Sequence, residues 1–184
     1  YLSRVMDSVF PLTPRIRSEM VVRRKPTAVI INARKKVMLG VLERLGRPNL
    51  GIEGDFADQA VFRAVLLNTG IYREDPAGRF AGPEELPDLG TAEVWKAIRR
   101  FLTEPKDGVT FQSLFDALRE PPYGVREGLL PLLLAAGLKA FPSAIAIRSR
   151  GSYVTDILPS VIEEIARAPS DYTLVVFGLS KAEE

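Results

Sequence analysis

Apolar residues recur every three to four positions along most of this chain, and the stretches that break the pattern are short and clustered. Residues 1–10 are amphipathic and predict a short helix stopped by Pro11 and Pro14. Residues 15–22 fit either a helical turn or an extended link. Ile30, Ala33, Val37, Val41 and Leu45 predict a long helix over 28–45, with Thr27 as its N-cap after Pro26, ended by Gly46, Pro48 and Gly51. Asp55 is placed to cap a second helix over 56–67, which would bury Phe56, Ala60, Phe62, Val65 and Leu66 and stop at Gly70. Residues 73–91 are rich in Pro, Gly and acidic residues and have no apolar period, so they read as a linker or long surface loop.

The second half has a more specific order. A helical pattern over 92–102 precedes a short β-type step at 109–110 and two more helical runs, 112–119 and about 128–141. Alternating residues at 144–148 and 152–155 then flank Ser149-Arg150-Gly151, a hairpin signature. Helix, short strand, helix, helix and two-stranded wing is the order of a winged helix-turn-helix. A further amphipathic helix over 157–168, bounded by Pro159 and Pro169, leads to the apolar run YTLVVF at 172–177. That strand either extends the wing sheet or pairs with a strand elsewhere in a longer parent. The expected fold is mainly α with a small β hairpin or sheet. A helical subdomain (1–72), the linker (73–91) and a winged-helix domain (92–184) follow one another.

Composition narrows the chemistry. The 184 residues contain no histidine and no cysteine. Imidazole acid–base catalysis, Ser-His triads, thiolate metal sites and disulfides therefore have no residues to use. Neither GxxxxGK[ST] nor GxGxxG occurs, so no phosphate-cradling loop is expected in this stretch. Glu84-Glu85 and Glu163-Glu164 are adjacent pairs whose side chains diverge, and surface charge explains them better than a catalytic dyad or metal clamp. No enzyme activity, cofactor or metal is expected of this chain itself. No apolar run is long enough to span a membrane and no secretory leader is evident, which makes cytoplasmic the expected compartment. The chain opens inside an amphipathic pattern, as a piece of a larger polypeptide would.

The net charge of +2 conceals an asymmetry. Residues 1–50 carry 11 Lys/Arg against 3 Asp/Glu, whereas residues 51–184 carry 14 against 20. The basic quarter either faces nucleic acid or phosphate, attracts the acidic remainder, or faces a neighbour. Arg23-Arg24-Lys25 stands just before a helix N-terminus, where it would strengthen an anion site. Arg34-Lys35-Lys36 reads as the solvated polar face of the same helix, and Trp95 reads as core.

The wing offers Arg148, Arg150, Ser152 and the aromatic Tyr153 at a hairpin tip, groups suited to phosphate contact. The third helix of the motif, LLPLLLAAGLKAF, carries Lys139 as its only charge, which argues against reading bases and leaves sequence-independent contact with a DNA backbone.

Several segments together resemble a known family. They are Thr13-Pro14-Arg15-Ile16-Arg17-Ser18-Glu19, Ala33-Arg34, Leu50-Gly51-Ile52-Glu53-Gly54, Asn68-Thr69-Gly70-Ile71-Tyr72, and Pro121-Pro122-Tyr123-Gly124-Val125-Arg126 followed by Leu130-Pro131-Leu132-Leu133-Leu134. They are similar to the region C-terminal to the P-loop core in large bacterial phage-defence ATPases, BREX-type ATPases among them. Ser18 departs from the pattern, which has Asn before the Glu. The resemblance implies a lid-like helical subdomain and a winged helix, both accessory to an ATPase core in the remainder of a larger chain. ATP would be bound by that parent, with Arg17, Arg23 or Arg24 facing nucleotide phosphates.

Overall fold

Thr27 starts the central helix as its side chain accepts the Ile30 amide at 3.4 Å. In the computed structural model, which describes residues 2–18 and 25–178, that helix runs Ala28–Glu43. It is α2; a short helix α1 (Leu2–Val9) precedes it. α2 ends two residues before Leu45, which is 41% exposed rather than part of the buried stripe. The next helix, α3 (Ala57–Phe62), has Phe56 as N-cap, and it continues as a wider turn over Arg63–Leu67. Asp55 makes no cap there; it lies 3.7 Å from Arg63 instead, and Phe56 is 74% exposed. Phe62, Val65 and Leu66 are buried as their spacing requires, whereas Ala60 is exposed and Asp58 and Gln59 take the buried positions of α3.

The remaining helices are α4 (Leu89–Thr103), α5 (Phe111–Arg119), α6 (Leu130–Ala140) and α7 (Pro159–Arg167). Two short strands, β1 (Tyr72–Arg73) and β2 (Arg79–Phe80), form a hairpin. A second sheet holds β3 (Lys106–Thr110), β4 (Ile145–Ser149), β5 (Ser152–Tyr153) and β6 (Tyr172–Val176) in the order β3-β6-β4-β5, antiparallel throughout. The fold is thus mixed α/β, with seven helices and a small antiparallel sheet among the described residues. β6 is the central strand: Leu174 stands opposite both Val109 and Ile147. The apolar run 172–177 is therefore paired on both sides within this chain, which is why Leu174, Val175 and Val176 are buried.

Residues 73–91 are not a plain linker. They contain β2, the single turn Pro83–Glu85 and the start of α4, and they pack on the core through Ala81, Pro83, Leu86 and Gly90. Polar bonds substitute for the missing apolar period. Trp95 is fully buried and donates its indole N–H to the Ala81 carbonyl at 2.9 Å. Glu85 accepts from Arg79 at 2.7 and 3.0 Å, from Arg73 at 3.3 Å and from the Gly82 amide at 2.8 Å. The Arg79 bond, aided by the Gly82 amide, holds the Glu85 carboxyl down to about 2.

A depressed folded-state pKa stabilises above the unfolded value, and that contribution disappears as pH falls through the folded one. Acid titration of stability is therefore expected to show a Glu85 component between about pH 4.5 and about 2. Urea unfolding of Glu85→Gln across that range checks it: the variant should be less stable than wild type at pH 6 and lose less on acidification.

The chain between α1 and residue 16 lies across the body as a strap. The Leu12 amide bonds to the Pro122 carbonyl at 3.1 Å, and the Arg15 amide to Asp88 at 3.3 Å. Glycines make room for it. A Cβ on Gly90 would meet the Leu12 carbonyl oxygen at 2.7 Å, and one on Gly124 would meet the Phe10 ring at 2.7 Å. Segment 10–15 thus meets two segments distant in sequence, 88–90 and 121–124, and in each the close approach falls at a glycine.

Candidate nucleic-acid interface and a buried ion pair

The tip of the β4–β5 hairpin, expected above as a wing, is a two-residue turn with positive φ at both positions, 49° at Arg150 and 81° at Gly151. This is the mirror-image turn that matches strand twist, and it sets Arg148 opposite Tyr153 and Ser149 opposite Ser152. Nothing lies within 4 Å of a Cβ built on Gly151, so the glycine answers to its dihedral angle alone. Ser152 is exposed and Tyr153 is 63% exposed.

Arg148 does not reach into solvent as a free cation. Its guanidinium crosses the central strand to Asp107 on β3 (3.3 Å) and sits 5.4 Å from the Tyr153 ring centre. Its Nε is buried with no hydrogen-bond partner. Arg148 therefore braces the outer face of the sheet. Arg150, 86% exposed, lies 3.5 Å from Asp171 just before β6. Both wing arginines thus have a carboxylate of the same chain beside them.

Lys139 is exposed in the last turn of α6 and lines a cleft of about 310 Å³ with Leu42, Leu102, Phe141 and Ile145. Ile145 opens β4 whereas Arg148 stands near its end, so Lys139 is not gathered with the wing arginines. Arg17 and Lys25 are exposed, and Arg23 and Arg24 lie outside the described residues. Residues 130–137 of α6 are all buried.

The charge run on α2 divides. Lys36 is solvated and 3.7 Å from the buried Asp58, but the Arg34 side chain is only 6% exposed. Arg34 forks onto both oxygens of Glu163 in α7, at 2.7 and 2.6 Å, and donates a third bond to the Gly128 carbonyl at 2.9 Å. Neither residue is plain surface charge. This bidentate geometry is the strong form of an arginine–carboxylate contact. It ties three parts of the chain together: α2, the turn before α6, and α7. The pair forms one wall of a cleft of about 570 Å³ that Lys35, Ser160 and Arg167 also line. One signal for it was present in the sequence. Arg34 falls within the apolar stripe Ile30, Val37, Met38 and Val41, where a solvated residue has no place.

Among the described residues no group of three acidic side chains is placed to hold a metal ion. No helix among them is long and apolar enough to cross a membrane. Comparison with protein-family models, curated proteins and solved structures finds no match.

Proposed function

We propose that this chain is a non-catalytic accessory module, a helical unit joined to a winged-helix variant, of a larger bacterial P-loop ATPase acting in phage defence. The burial of residues 130–137 carries this reading. The helix that would enter DNA in a winged helix is instead the packing centre between α2, α4 and α7. With the Arg34–Glu163 clamp it joins the two halves of the chain into one body, suited to transmitting nucleotide state from an ATPase core rather than to reading bases. The order α4-β3-α5-α6-β4-β5 supports the winged-helix reading. The variant lies in the pairing, since β3 bonds to β6 and not to the wing. ATP and the catalytic groups belong to the parent chain in this reading, which places the module in the cytoplasm.

A second reading has one observation in its favour. Arg150, Ser152 and Tyr153 stand exposed at the wing tip, where they suit sequence-independent contact with a DNA backbone.

Fluorescence-anisotropy titration against single- and double-stranded DNA separates the two. The accessory reading expects no binding at low salt. Duplex binding that weakens steeply with salt and is reduced by Arg150→Ala would overturn it in favour of the second. Arg150 is the informative position, because substituting Arg148 also removes a brace of the sheet.

A further inference from the structure

We infer that Asp107 and Asp171 act as built-in phosphate decoys that compete with nucleic acid for the two arginines of the β4–β5 hairpin and so weaken its grip. This inference rests on the second reading of the wing and supplies its regulation. Asp107 sits on β3 and Asp171 at the entry to β6, 41 and 21 residues from the arginines they face. The fold brings each carboxylate to the guanidinium that a DNA phosphate would otherwise meet: 3.3 Å from Arg148 and 3.5 Å from Arg150. A carboxylate and a phosphodiester present the same chemistry to guanidinium, an anionic pair of oxygens.

The contacts are reversible by construction. Asp107 is 90% exposed and the Arg150 side chain 86%, and exposed pairs of this kind hold weakly. Loss or capture of the two carboxylates frees both guanidinium groups for phosphate. The Tyr153 ring, its centre 5.4 Å from the Arg148 guanidinium, stays beside that cation when Asp107 lets go of it.

The test compares Asp107→Asn/Asp171→Asn with wild type by anisotropy on a fluorescein-labelled duplex across a salt series. Removing any two acids favours a polyanion, so Glu53→Gln/Glu120→Gln, two exposed acids away from the wing, serves as the charge-matched control. Circular dichroism first checks that the variants keep the wild-type fold. The decoy variant should bind duplex with a log–log salt slope steeper than the control's by about 1.8, or about tenfold in affinity for each fourfold dilution of salt. Adding Arg150→Ala should remove about half of that difference in slope. A gain no greater than the control's, or one indifferent to Arg150, overturns the inference. The accessory reading fails on a different result, binding of duplex by the wild-type chain itself.

Discussion

Glu163→Ala is expected to destabilise the protein by about 3–5 kcal/mol, because it leaves a buried guanidinium without its counter-ion. Arg34 is 6% exposed, and arginine does not shed its proton to escape burial. Its bonds to both Glu163 oxygens would be lost together, leaving only the Gly128 carbonyl. Removing both charges is a different experiment. Arg34→Met/Glu163→Leu keeps similar volume and leaves no charge unpaired, only the Gly128 carbonyl without its arginine donor, so it should recover most of the loss. Urea unfolding followed by far-UV circular dichroism on the two singles and the double gives the coupling energy directly. A Glu163→Ala loss below about 1 kcal/mol would be the value of a solvated surface pair and would remove the clamp from the account.

Trp95→Ala is the second large effect, also about 3–5 kcal/mol, from the cavity and the lost contacts of a fully buried indole. Trp95 lies with its ring centre 4.8 Å from that of Phe141 and 6.5 Å from that of Phe80, and its N–H satisfies the Ala81 carbonyl. The loss should be directional as well as large. The indole fastens the β1–β2 hairpin to α4, so limited proteolysis should cut the variant faster within residues 74–78. Trp95→Phe keeps most of the packing but leaves the Ala81 carbonyl without its donor, and should cost about 1–3 kcal/mol. Unchanged cleavage at 74–78 in Trp95→Ala would show that the Glu85 arginine network holds the hairpin unaided.

The helices were largely legible in the chain, because each buries one face and so repeats apolar residues at its own period. Thr27 and the stripe from Ile30 to Val41 marked α2, and the run at 130–138 marked α6. The wing turn was legible for another reason: only a few residue types accept two successive positive φ angles, and glycine supplies one of them. Where the reading failed, a polar contact distant in sequence replaced a local signal. Residues 73–91 looked like a linker because a Trp95 hydrogen bond and a Glu85–arginine network hold them, and neither leaves a period. Phe56 looked buried because an apolar residue at a helix start usually is, yet here it serves as an exposed N-cap.

Local periodicity and dihedral preference thus determined, from the sequence alone, which segments are helices, where the β4–β5 hairpin turns, and that the run at 130–137 is apolar on every side. Tertiary structure alone decided the pairing of charges. Arg34 with Glu163, Arg148 with Asp107 and Arg150 with Asp171 are 129, 41 and 21 residues apart, and no local pattern selects among many arginines and carboxylates. It also decided the place of β6 at the centre of the sheet, because a strand's partners depend on which edges the packed helices leave open.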